Sequence, residues 1–242
     1  MNLIIDVGNT FVKFAVFKNS ALIHKVSFEL QAFKKHYRVL RQEFPELKAA
    51  IIASVGRLSD RQIEIIANDL DVLELDHNTK LPFKNRYKTP KTLGVDRIAL
   101  ASASVHQFPD NNALIIDAGT CITYDFVTSE NAYLGGAISP GIRLRYEALH
   151  NLTANLPLLE KDQPKGIIGD TTETSIHSGV VIGAVKEIDG VIDQYKAKHQ
   201  DLTVILTGGD ANFLSNQLKN SIFANSNFLL EGLNFILEFN SK

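Results

Sequence analysis

Apolar positions fall into short runs divided by polar or glycine-bearing turns, and two periods alternate along the chain. Residues 2–7 read as a buried strand, and 11–17 and 21–28 as two further strands across the turn Lys18-Asn19-Ser20. A helical pattern follows over 31–44, closed by Pro45, then a strand over 49–55. Ser59 can cap a helix over 59–70, in which Ile63, Ile66 and Leu70 share a face. A short strand over 71–75 leads to residues 77–92, whose polar residues and prolines predict a loop. Val95, Ile98, Ala99 and Ser102 then mark a helix over 93–106.

A second cycle opens at residue 113. Strands are predicted over 113–116, 121–127 and 133–138, and a helix over 140–150. The longest helical pattern covers 171–199, with Ile176, Val180, Ala184, Ile188 and Ile192 spaced by four. Asp170 and Glu173 suit an acidic capping box at its start. A strand over 203–206, a helix over 211–218, a strand over 222–224 and a helix over 229–239 complete the chain. Both cycles open with an apolar strand that ends in Asp, then Gly, then Thr. Asp6-Val7-Gly8-Asn9-Thr10 and Asp117-Ala118-Gly119-Thr120 stand 111 positions apart. The order predicts an α/β protein made by internal duplication, with halves at 1–110 and 111–242.

Composition narrows the classes. In 242 residues, 45% hydrophobic content can form a core, which excludes wholesale disorder. The formal net charge of −2 offers no broad basic field, so nucleic acid is not an expected partner. No apolar run approaches bilayer length, and the first residues lack a basic leader, so a cytoplasmic protein without a membrane partner is expected. Cys121 is the single cysteine, which excludes an intrachain disulfide and a cysteine-rich zinc site. The seven histidines lack metal-ligand spacing, and most read as surface residues. Walker A and nucleophile-elbow motifs are absent from the sequence.

Four motifs carry chemistry. In the first, a strand delivers Asp6 to a sheet edge, Gly8 permits a sharp bend with open amides, and Lys13 can reach a phosphate. The same residues suit an ordinary hairpin. The second, at Asp117, repeats that design, and two such bends can serve one ATP with its magnesium ion. The third, Thr207-Gly208-Gly209, follows a strand and leaves room for a nucleoside, or is a plain helix entry. The fourth, Gly94-Val95-Asp96-Arg97, opens a helix. Asp96 can accept a hydroxyl proton and Arg97 can grip a carboxylate, or the two are a dipole-favoured acid and a surface cation.

In this order, the motifs resemble those of the type III pantothenate kinase family. Tyr87, Gly135-Gly136 through Pro140-Gly141 and the stretch 169–179 add to a resemblance that spans nearly the whole chain. It implies a duplicated ribonuclease H-like, actin-like ATPase fold: two similar three-layer halves with mixed five-stranded sheets. It also implies transfer of the ATP γ-phosphoryl to the primary hydroxyl of pantothenate, the first step toward coenzyme A. Asp6, Val7, Gly8, Asn9, Thr10, Phe11, Val12, Lys13 and Thr120 would bind ATP with its magnesium. Tyr87, Gly94, Val95, Asp96, Arg97 and Thr172 would surround pantothenate, with Asp96 as general base. Asp117 would hold a monovalent cation, potassium or ammonium. A homodimer is implied, with the helix after Asp170 in its contact. Asp96 stands at a helix N-terminus, where its pKa is expected not to rise. A non-catalytic nucleotide-binding regulator on the same fold is the competing class, which has no use for both Asp96 and Arg97. Cys121 and the bulky Phe11-Val12 pair depart from the family's usual residues.

Overall fold

Branched and aromatic residues dominate the first 28 positions, and in the computed structural model, which describes residues 1–8, 11–54 and 58–241, they pair as a meander. β1 (Asn2–Val7) runs antiparallel to β2 (Val12–Lys18), with Asp6 opposite Lys13. β2 pairs with β3 (Ala21–Phe28) across a turn in which Asn19 and Ser20 take positive φ, 48° and 63°. β4 (Ala49–Ser54) and β5 (Asp71–Glu74) add parallel strands on the other side of β1, giving the order β3-β2-β1-β4-β5. A 3-10 turn at Leu30–Ala32 leads into α1 (Phe33–Glu43), and α2 (Asp60–Ala67) starts from the predicted Ser59 cap, closed reciprocally by Gln62. Leu3, Ile5, Phe14 and Val16 bury one face of the sheet against Phe33, Tyr37, Leu40 and Ile66. Truncating a ring such as Phe14 to alanine in a core of this kind costs about 3–5 kcal/mol.

The stretch 77–92, expected as loop, holds a two-residue strand, β6 (Lys84–Asn85), which pairs in parallel with Ala132 and Tyr133. After a 3-10 turn at Pro90–Thr92 comes α3 (Val95–Gln107). The chain's last helix, Phe228–Asn240, packs on α3 and on the sheet face opposite α1. A Cβ on Gly232 would lie 2.0 Å from the Ala99 carbonyl oxygen, so the two helices meet backbone to backbone there. This unit comprises residues 1–109, 131–133 and 227–242. Its last helix comes from beyond the 1–110 span, and Gly232 on that helix lets it approach Ala99 and Ala103 closely.

The second unit comprises residues 110–130 and 134–226. β7 (Asn112–Ala118) pairs antiparallel with β8 (Cys121–Val127), and β9 (Ala132–Pro140) follows. After α4 (Ile142–Asn151) and α5 (Thr172–His177), a π-helical turn at Ser178–Ile182 leads into α6 (Gly183–Lys198). The helix expected over 171–199 is therefore interrupted by a turn one residue wider than the α-helical repeat. β10 (Leu202–Thr207) is parallel to β7, followed by α7 (Ala211–Ser215) and the short parallel strand β11 (Phe223–Ala224). The last helix is α8. The order β11-β10-β7-β8-β9 repeats that of the first sheet, strand for strand, as duplication predicts. The sheet has six strands rather than five because β6 adds to β9. One of its faces buries Leu114, Ile116, Tyr124 and Leu206 against Ile176, Val181, Ala184 and Ile188. No helix among the described residues is long and apolar enough to cross a membrane.

Candidate active site

Asp6 is the second-to-last residue of β1, 7% exposed, and its Oδ2 accepts from Lys13 Nζ at 3.0 Å. The Gly8 N–H donates to the Phe11 carbonyl at 3.0 Å and closes the bend. Asn9 and Thr10 lie outside the described residues. Val7 and Val12 bury their side chains in the core, so only their backbones can face a ligand, whereas Phe11 is exposed.

The Gly94–Arg97 segment is shaped by its own backbone. Gly94 is the N-cap of α3 in extended conformation. Asp96 folds back over it: Oδ1 accepts the Arg97 N–H at 2.8 Å, and a Cβ on Gly94 would sit 2.3 Å from that oxygen. Crowding by protein atoms raises the Asp96 pKa above the ordinary carboxylate value. The Arg97 N–H and guanidinium oppose the rise, and the charge of Asp6 adds to it. The expectation that the Asp96 pKa does not rise is thus corrected: desolvation outweighs the helix terminus. Arg97 is buried, with its Cζ 5.6 Å from the Tyr87 ring centroid and 5.9 Å from that of Tyr133.

In the second unit Asp117 is likewise the second-to-last residue of its strand, in register with Thr123 on β8 and Thr207 on β10. Gly208 has φ of 95°, and a Cβ there would fall 2.3 Å from Asp117 Oδ1 and 2.4 Å from the Ala118 carbonyl oxygen. The Asp210 N–H donates to that same carbonyl at 2.9 Å. The 207–210 turn is therefore seated on the Asp117 tip, while a Cβ on Gly209 would meet open space. Thr120 is exposed, and its carbonyl accepts the Gly141 N–H at 3.0 Å. Thr172 is exposed in the first turn of α5. The cap of that helix is Thr171 with Thr174, not Asp170 with Glu173: the Thr174 N–H reaches Thr171 Oγ1 at 3.1 Å. Thr171 is thereby engaged in the cap, which leaves Thr172 as the exposed hydroxyl. His177 is buried against Tyr146, with Nδ1 and the phenol oxygen 2.7 Å apart.

The first unit thus gathers Asp6, Lys13, Asp96, Arg97 and Tyr87. The second joins Asp117 to the Gly208 turn and presents Thr120 and Thr172 at its surface. Among the described residues, no group of three or more His, Cys, Asp or Glu side chains is arranged to hold a metal ion.

Known proteins resolve what this arrangement belongs to. The sequence model of the family described as type III pantothenate kinase matches residues 2–194. A type III pantothenate kinase of Christiangramia forsetii is 53% identical over 240 residues, covering 99% of both chains. The chain belongs to the type III pantothenate kinase family. It is a kinase, and its fold is the duplicated actin-like ATPase fold. Among solved structures, a protein described as a Baf family transcriptional activator from Campylobacter jejuni superposes with a TM-score of 0.65 at 20% identity, covering 99% of this chain and 98% of that one. A glucokinase from an Antarctic psychrotroph does so at 0.52 and 13% identity, covering 98% of each chain. At such identities the likeness is one of fold.

One member of this kinase's aromatic cluster escapes motif reading. Tyr133 follows Ala132 at the start of β9 and reads in sequence as a core strand residue. Only the pairing of β6 with β9 brings it to Arg97, and the Arg86 N–H to Tyr133 carbonyl bond at 2.9 Å fixes that approach.

Proposed function

We propose that this kinase transfers the γ-phosphoryl group of ATP to the primary hydroxyl of pantothenate, giving 4'-phosphopantothenate and ADP on the route to coenzyme A. The observation that carries the reading is the Gly94–Arg97 corner: a carboxylate with a raised pKa beside a buried arginine framed by aromatic rings. Asp96 takes the hydroxyl proton as the new O–P bond forms and the bond to the β-phosphate oxygen breaks. The transition state is loose, so the hydroxyl becomes acidic late, and orienting it in line with phosphorus is much of the work. The raised pKa makes Asp96 a stronger base than an ordinary aspartate. Arg97, with Gly94, Val95 and Tyr87 beside it, binds the pantothenate carboxylate as a bidentate fork, and Thr172 is a further candidate substrate contact.

The 6–13 bend and Thr120 take the triphosphate, and magnesium arrives with ATP. Lys13, paired with Asp6, supplies the cation for phosphate oxygens. The Asp117 carboxylate, with the Gly208 turn seated against it, is the candidate ligand for a monovalent ion. Asp117 would hold potassium or ammonium, whose positive charge offsets that of the bound nucleotide. A homodimer is supported by exposed apolar side chains on the second unit: Ile138, Leu152, and the pair Ile167 and Ile168 just before α5. The cytoplasm is the compartment that fits a chain with a single free cysteine.

A coupled ADP-release assay tests the reading with pantothenate, pantetheine and several sugars as acceptors. Turnover is expected with pantothenate, and less in sodium than in potassium. Asp96→Asn is expected to lower kcat by about 100- to 10,000-fold while ATP still binds. Turnover of a sugar but not pantothenate would overturn the acceptor, and near wild-type turnover of Asp96→Asn would overturn the base.

A further inference from the structure

Arg97 has two aromatic neighbours, and they reach it by different routes. Tyr87 comes from the loop that precedes α3, its N–H anchored to Asn85 Oδ1 at 2.9 Å. Tyr133 comes from the start of β9, fully buried, and is tied to the same loop by the β6 pairing and the Arg86 N–H. The two rings are 6.1 Å apart and tilted by 42°, and the guanidinium lies within 6 Å of both centroids. Phe83 backs Tyr133 at 5.9 Å. A cation shared by two ring faces loses rotational freedom, and its planar fork is oriented before any ligand arrives.

We propose that Tyr133 is a positioning residue for acceptor recognition: with Tyr87 it clamps the Arg97 guanidinium in the orientation that grips the acceptor's carboxylate. The inference rests on the reading of Arg97 as the carboxylate ligand. It adds that specificity for an anionic acceptor depends on a ring supplied from β9, outside the Gly-Val-Asp-Arg motif. Tyr133 acts only through Arg97, so its removal should weaken acceptor binding and leave ATP binding and the chemical step alone.

Steady-state kinetics on five variants separate the possibilities. Tyr133→Leu is expected to raise the pantothenate KM about tenfold, with kcat and the ATP KM within about twofold of wild type. Tyr133→Phe keeps the ring face and should stay near wild type. Phe83→Leu thins the same cluster behind the ring and should leave the pantothenate KM in place. Arg97→Ala should raise it about 100-fold. Pentafluorophenylalanine at 133 keeps the shape of phenylalanine but removes the negative ring face, so it should raise the KM several-fold over Tyr133→Phe even where the leucine variant does not fold. An unchanged KM for the fluorinated protein, an equal rise in Phe83→Leu, or a parallel rise in the ATP KM would each overturn the clamp. An unchanged KM in Arg97→Ala would instead overturn the carboxylate assignment itself.

Discussion

The two strand tips share one frame and differ in what stands opposite their carboxylates. Asp6 and Asp117 occupy equivalent positions in the β1-β2 and β7-β8 pairs, yet Asp6 faces Lys13 across the ladder and Asp117 faces Thr123. On the parallel side Asp6 has Ala53 in register, and Asp117 has Thr207, followed by the Gly208 turn pressed onto it. The first tip therefore carries its own cation, which a phosphate can draw upon. At the second, the Gly208 turn is seated against the carboxylate, and there the proposed monovalent ion would bind. Duplication preserved the strand order while the residues opposite the aspartates diverged, so charge rather than fold separates the two tips.

The sharpest way to break the comparison is at the glycines. Gly208→Ala places a Cβ against the Ala118 carbonyl at a φ that disfavours any side chain, and should destabilise the protein by about 3 kcal/mol. Gly8→Ala meets the Phe11 carbonyl at 3.2 Å, a contact a small shift relieves, and should destabilise it by less than about 1 kcal/mol. Urea unfolding of both variants checks the ratio, and equal losses would show the two bends to be built alike. A smaller effect comes from the charges. Lys13→Ala should raise the ATP KM about tenfold in either salt, whereas Asp117→Asn should erase the difference between potassium and sodium. Kinetics in both salts decide it, and a Lys13 variant that lost cation dependence would reverse the assignment of the tips.

Sequence pattern anticipated the succession of elements along the chain because each strand is an apolar run bounded by turn residues, and the twin Asp-x-Gly tips exposed the duplication. It missed β6 because Lys84-Asn85 carries no apolar signal, and its partner strand lies far along the chain. Spacing by four through residues 176–192 continues across the π-helical turn, so periodicity did not reveal the extra residue. The candidate site was legible wherever residues adjoin in a motif, as at Gly94–Arg97. Tyr133 was not, because a tyrosine at the start of a strand looks the same whether it packs on a leucine or an arginine. The shift at Asp96 was misjudged for a related reason: a helix terminus is local and readable, whereas desolvation is set by what folds over the side chain.

That shift sharpens the comparison from the first unit's side, since the charge of Asp6 contributes to it. Because the Asp96 pKa is raised on folding, the carboxyl contributes stability that is fully present below its unfolded value, about 3.9, and is lost as pH rises through its folded value. Asparagine keeps the volume and can still accept the Arg97 N–H, but it never ionises. The stability of Asp96→Asn relative to wild type should therefore increase with pH and level off once Asp96 is charged. Thermal unfolding of the two proteins between pH 4 and pH 8 measures the effect, which should be small. The same comparison made in an Asp6→Asn background should level off at lower pH and with a smaller total change, because one source of the elevated folded pKa is gone. A stability difference that did not vary with pH in either background would mean that Asp96 titrates as a free carboxylate and that Asp6 does not act upon it.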